Sequence, residues 1–372
     1  NLKKEELEIK LYVPTLSYTN TTGAVLYEQI NEKVIPLIDI ETEDKFESYL
    51  EDELVIGIRH FLDISSMKEM TNKELREKAK LARKIEKKEH GEMITLIPNP
   101  TEQFIQANAK INYLKKIINK ENVIPVFKWD INNGDIDKFE SFVRTLISEY
   151  DQIAIRVSAE SSFFTNIEKI AKIHDIHLIL DLNTNFDTVQ IKTYIKQSTE
   201  HSFVNIIYLG AQFSTDDISI ARDDTNQNII SSNQPLIVYE SIIQDKEITQ
   251  DIGYGDYCGF DRKTITEMPS GGRGTARVVL ASIDDSMKLL VRRGWSNEDI
   301  TKDKKTGRTK LGYGHSMRKL LQDIAEGELD YEQDSRFMNE EICDADFSLK
   351  DFYPDITTPG VIKTLCFRHN VF

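Results

Sequence analysis

The sequence predicts an α/β fold: a TIM-like (β/α)8 barrel with an added C-terminal α+β lobe. Three observations point there. Short apolar runs, each closed by a polar or charged residue, recur through the first two-thirds of the 372 residues. The runs are apolar at successive positions, as strands buried on both faces of a parallel sheet are. Stretches at helical spacing separate them and supply the crossovers that parallel strands need. Eight or nine such units in about 240 residues fit a closed barrel better than an open sheet.

In chain order the strand candidates are 11–14, 34–39, 54–59, 93–97, 123–128, 153–156, 177–181, 204–208 and 236–240. Helical spacing marks 137–150 through Phe139, Phe142, Val143, Leu146 and Ile147, and 163–174 through Ile167, Ile170 and Ala171. The charge-rich stretch 71–90 reads as a long exposed helix capped by Thr71 or Asn72, and 188–197 as a weaker one. These stripes are expected to pack on the barrel. The rhythm changes after residue 244, which sets the expected boundary between a barrel (1–244) and a lobe (245–372). Gly and Ser become dense in 253–260 and 270–274, then two strand-like runs, 276–282 and 288–293, flank the hairpin signal Asp284-Asp285. A Lys-, Asp- and Gly-rich linker (296–314), helices at 315–325 and 330–345 and a proline-initiated segment (359–372) complete the lobe.

Composition narrows the function classes. The net charge is −15, from 62 acidic and 47 basic residues, so general nucleic-acid binding is not expected. No apolar run reaches membrane-spanning length, and the polar start lacks an apolar signal core. Cys258, Cys343 and Cys366 are odd in number and widely spaced, which suits free thiols and a cytoplasmic location. The seven histidines show no metal-ligand spacing, and there is no Gly-x-Ser-x-Gly elbow. Ser270-Gly-Gly-Arg-Gly-Thr275 leads into a strand, without the Gly-Lys-Ser/Thr of a phosphate loop.

Barrel proteins place their chemistry at the C-terminal ends of the strands. Those ends here carry Asp39, Arg59, Lys128, Arg156, Asp181 and Glu240. Asp39, Asp181 and Glu240 are the candidate catalytic groups. Converging carboxylates suit general acid–base work or a divalent metal such as magnesium or manganese, although no cofactor motif is present. Lys128 and Arg156 are candidate anion-binding groups. Asp256 and Tyr257 are candidate ligand-binding residues expected to cover the mouth from the added lobe, and Arg277 and Arg293 are candidate ligand-binding cations in that lobe.

The order of several short motifs resembles the "beta protein" family of bacterial and phage-borne proteins. These are Tyr12-Val-Pro14, Pro36-Leu-Ile-Asp39, Ile155-Arg-Val157, Leu178-Ile-Leu-Asp-Leu182, Gly210-Ala-Gln-Phe213 and Gly255-Asp-Tyr257. Arg277, Arg293-Gly294 and the tail from Pro359 to His369 follow in the same order. The chain departs from the family at Ser17-Tyr-Thr-Asn20, in lacking the terminal-helix tryptophan, and in Arg368 where a second histidine is usual. The resemblance implies a barrel-type protein of phage–host conflict, acting beside a protein partner encoded nearby. With the strand-end charges, the expected function is that of an intracellular barrel protein of antiviral defence that binds an anionic nucleotide or phosphodiester-type ligand at the barrel mouth. A non-catalytic scaffold that docks an effector or phage protein through the lobe is the alternative.

Overall fold

The computed structural model describes residues 9–18, 32–65, 67, 113–117, 120–129, 141, 143–144, 148–158, 162–172, 175–183, 185–211, 228–257, 276–281 and 288–294. The chain divides into two compact units, one of 1–212 with 238–270 and one of 213–237 with 271–372.

The first unit is a closed barrel of eight parallel strands. They are β1 (Tyr12–Ser17), β2 (Leu37–Asp39), β3 (His60–Asp63), β4 (Val123–Trp129), β5 (Ile153–Ser158), β6 (Ile176–Asn183), β7 (Ile206–Gly210) and, out of sequence order, β9 (Ile252–Asp256). β9 pairs with both β7 and β1 and closes the circle. Described helices between strands are α1 (Glu43–Leu50), α2 (Glu53–Ile56), α3 (Ile167–Ala171), α4 (Thr188–Thr199) and α5 (Gln234–Ile243). Asp187 starts α4 by accepting the Val189 and Gln190 amides at 3.1 Å each.

Three expectations change. Residues 54–59 are not a strand: Asp52 caps α2, accepting the Val55 amide at 3.2 Å, and the strand begins at His60. Residues 236–240 lie in helix α5, whose Pro235 near the start is compatible with a helix N-terminus. The eighth strand is instead the glycine-bearing 252–256, so the barrel extends past residue 244. The expected strand at 93–97 and helix at 71–90 lie outside the described residues, as does most of 137–150.

The second unit contains a three-stranded antiparallel sheet in the order β10-β11-β8, built from β8 (Asn228–Ser232), β10 (Ala276–Ala281) and β11 (Lys288–Gly294). β10 and β11 pair as the hairpin signal predicts, with Arg277 opposite Arg293. The expected elements beyond 294 lie outside the described residues.

Strand register builds the barrel interior. Side chains alternate between the inside and the surrounding layer, and the stagger of a closed eight-stranded parallel barrel stacks inward residues in layers of four from alternate strands. The register places Ile35, Ile124, His177 and Gly253 in one layer, then Val13, Phe61, Ala154 and Ile207, then Leu37, Val126, Ile179 and Gly255. Most of these form one buried apolar cluster. Gly255 is required by space: a Cβ there would meet the Val13 carbonyl oxygen at 2.9 Å and Leu209 at 3.2 Å.

The end away from the strand C-termini is closed by polar groups. His177 Nδ1 accepts from the Asn205 amide at 3.0 Å, and its Nε2 reaches Gln152 Oε1 at 3.3 Å. Arg59 donates to the same Gln152 oxygen at 2.8 Å, which places it at the end opposite the mouth. On the outer side, His60 is wholly buried, with Nδ1–H donated to the Ile58 carbonyl at 2.7 Å and Nε2 accepting from Tyr49 at 2.8 Å. Burial lowers both histidines to about 4, reinforced at His177 by Arg59.

Candidate functional site

Polarity changes abruptly at the next two layers. The register assigns Thr15, Asp63, Arg156 and Leu209 to one, and Asp39, Lys128, Asp181 and Tyr257 to the layer above it, at the C-terminal ends of the strands. Seven of these eight side chains are polar, where the layers beneath are almost wholly apolar.

Arg156 is the hub. It is 8% exposed. Its Nε donates to Asp181 Oδ2 at 2.8 Å, and its Nη1 donates to Asp63 Oδ2 at 2.8 Å and Asp39 Oδ1 at 3.2 Å. Its Nη2 donates to the Tyr257 hydroxyl and also lies 2.8 Å from Asp181 Oδ2. Tyr257 donates onward to Asp181 Oδ2 at 2.7 Å. Asp63 also accepts the Ser65 amide at 2.8 Å and the Ser65 hydroxyl. Planar forked donors suit such multiple carboxylate contacts.

The electrostatics follow from this geometry. Burial opposes ionisation of Asp63, but Arg156 and the two Ser65 bonds outweigh it and hold the carboxyl below its ordinary value. Burial also opposes the charge on Arg156, and Tyr257 with the three aspartates overrides it. Burial raises Tyr257 well above the ordinary phenol value; Arg156 pulls the other way, while Asp181 and Asp39 add to the rise. The phenol therefore stays protonated and serves as a donor. Among the described residues, three carboxylates share the one guanidinium of Arg156.

Two buried oxygens in these layers have no hydrogen-bond partner: Asp181 Oδ1 and Thr15 Oγ1. Thr15 is 4% exposed. Lys128 is exposed, although its position on β4 continues the inward series Ile124 and Val126. No hydrogen bond or ion pair joins it to another described residue.

The expected site residues divide clearly. Asp39, Asp181, Lys128, Arg156 and Tyr257 come together at the mouth. Arg156 differs from its expected role, because its N–H groups are already occupied by the aspartates and Tyr257. Glu240 lies on α5, where its Oε1 accepts from Gln244 at 3.1 Å, and it is no part of the mouth. Asp256 alternates outward from Tyr257 and accepts from the Tyr12 hydroxyl at 3.2 Å, beside the stacked rings of Tyr12 and Tyr254. Arg277 and Arg293 belong to the second unit. Asp63 and Thr15 were missed. Asp63 ends an apolar run, His60-Phe-Leu-Asp63, of the same form as the other strands, so its signal was present one run later than the one chosen.

The expected metal set loses Glu240, and the guanidinium lies among the remaining carboxylates. Among the described residues no group of three or more His, Cys, Asp or Glu side chains is arranged to hold a metal ion. Among the same residues no helix is long and apolar enough to cross a membrane. In comparisons with known proteins, no family model matches the chain and no curated protein matches it by sequence.

Proposed function

We propose that the chain is a (β/α)8-type barrel protein with an added α+β lobe, and that its mouth binds a compact anionic ligand of the nucleotide or phosphodiester class. The observation that carries this reading is Lys128: an exposed cation, without a described ionic partner, in the same layer as Asp39, Asp181 and Tyr257. Among the described residues at the mouth, two cations, Lys128 and Arg156, face three carboxylates. An anionic group is therefore favoured only at the rim, on Lys128, and the rest of the ligand must offer donors to the acidic floor. A nucleotide has this division, with phosphate at one end and sugar hydroxyls or amines elsewhere.

The resemblance to the beta protein family supplies the proposed setting, conflict between phage and host, beside a protein partner. Titration of the full chain with inorganic phosphate, adenosine monophosphate and a dinucleotide phosphodiester tests the ligand class. At least one of the three is expected to bind, and Lys128→Met is expected to weaken it about tenfold, the scale of one charge-assisted contact. Equal affinity in the two proteins, or no binding of any of the three, refutes it. For the setting, phage plating on cells accumulating equal amounts of wild type and Lys128→Met is the test. Protection by wild type alone supports the reading; absence of protection by both refutes the setting.

A further inference from the structure

We infer that the ligand carries a protonated amine beside its anionic group, and that the amine ends on Asp181 Oδ1 at the floor of the mouth. This rests on the reading of the mouth as a phosphate-ligand site and changes its donor end, from the hydroxyls and neutral amines of a nucleotide to an alkylammonium.

The argument starts from Asp181. Its Oδ2 accepts Arg156 and Tyr257, which fixes the carboxylate plane, while Oδ1 is buried without a partner. A buried carboxylate oxygen left unmatched is costly, so a donor is needed there. The second observation is independent. Thr15, wholly interior and on another strand, also has an unmatched hydroxyl oxygen in the Arg156 layer. The Thr15 hydroxyl can donate or accept, so the two unpartnered groups in adjacent layers describe a floor that needs polar partners, with a donor required at Asp181 Oδ1.

Charge selects among donors. A hydroxyl would satisfy Oδ1 but add no charge to a guanidinium that Asp181 shares with two other carboxylates. An ammonium satisfies the same oxygen and brings Asp181 a cation of its own, and charge pairing in a buried site is stronger than at a surface. Reach agrees as well. Lys128 on β4 and Asp181 on β6 are separated by one strand, about 10 Å between backbones at the usual strand spacing. Both side chains point inward, so an amine and a phosphate two carbons apart can bridge them.

The test uses two probes of the same shape: O-phosphoethanolamine, and glycol monophosphate, in which a hydroxyl replaces the amine. Calorimetric titration of the full chain should show the amine compound binding at least tenfold more tightly. Asp181→Asn should abolish that preference, and Thr15→Val should reduce it, with far-UV circular dichroism confirming that each variant folds. If Asp181→Asn does not fold, Asp181→Ser, which also removes the carboxylate, replaces it and should abolish the preference. Equal binding of the two probes by wild type overturns the amine assignment, as does a preference that survives both Asp181→Asn and Thr15→Val. Lys128→Met reports separately. It should weaken both probes equally; if it weakens neither, the phosphate reading fails while an amine preference still stands on its own.

Discussion

Replacing Arg156 by Met should be the most damaging single substitution in the barrel. The guanidinium holds three carboxylates whose side chains are 14% (Asp39), 1% (Asp63) and 13% (Asp181) exposed. Methionine fills comparable space and leaves those charges facing one another in a desolvated layer. Removing one partner of a buried pair costs about 3–5 kcal/mol. Three carboxylates lose their shared counter-charge here, so the upper end of that range is expected. Part of the loss is relieved when a carboxylate takes up a proton. The assay is urea unfolding followed by circular dichroism, with hydrogen exchange on β2, β3, β5 and β6 to assign the loss to the barrel.

The sign of the pH dependence gives a second readout. In wild type, Asp63 is held below its ordinary value, so its stabilisation is present above the unfolded value of 3.8 and is lost as pH falls through the lower folded value. In Arg156→Met, Asp63 loses the guanidinium that outweighs its burial, so its folded carboxyl rises above the unfolded value. That contribution must then improve as pH falls from 7 towards 5, where the wild type has no comparable gain. Adding Asp63→Asn to Arg156→Met should recover part of the loss. A cost below about 1 kcal/mol would refute the view that these charges need Arg156, as would a variant whose pH profile parallels the wild type.

Further outcomes follow from the same structure. His60 and His177, both lowered to about 4 by burial, bind fewer protons folded than unfolded, so stability should fall as pH drops from about 6.5 to about 4. Each contributes up to about 3 kcal/mol at the lower end, and His60→Gln should remove about half of that slope; an unchanged slope sinks the assignment. Gly255→Ala should destabilise by about 1–3 kcal/mol, because its Cβ meets a backbone oxygen at 2.9 Å. Gly253→Ala, whose Cβ meets only side chains at 3.2 Å, should cost less, and the reverse order in urea midpoints would contradict the packing. Tyr257→Phe removes the hydroxyl shared by Arg156 and Asp181 and should cost about 1–2 kcal/mol in the same assay. A stabilised variant would show that the hydroxyl is not needed there. Asp187→Ala should cost about 1 kcal/mol and raise exchange at the Val189 and Gln190 amides, which Asp187 caps.

The barrel was legible in the sequence, and so were most of the charged residues that gather at the C-terminal ends of its strands. Runs such as Val123–Trp129 and Ile176–Asn183 are apolar at consecutive positions because both faces of a parallel strand are buried, and that signal needs no tertiary context. The polar residue ending each run marked Asp39, Lys128, Arg156 and Asp181. Tertiary structure decided which apolar runs are strands. Residues 53–56 and 234–243 are as apolar as a strand, and short apolar runs carry no period that separates the two. The eighth strand was hidden for the opposite reason. Gly253 and Gly255 read as turn residues, yet a Cβ at Gly255 would run into Val13 and Leu209, and one at Gly253 would be crowded by Leu11 and Ile207.

Only the closed register could show that Arg156 serves the aspartates and not a ligand. An arginine at a strand end looks the same in sequence whether its donors are free or occupied. The difference lies in Asp39, Asp63 and Tyr257, brought from 117, 93 and 101 residues away by barrel closure. Closure also turned Asp256 outward while its neighbour Tyr257 points in, because adjacent residues of a strand face opposite sides. Charge pairing and strand parity are properties of the closed barrel, and no single segment encodes them.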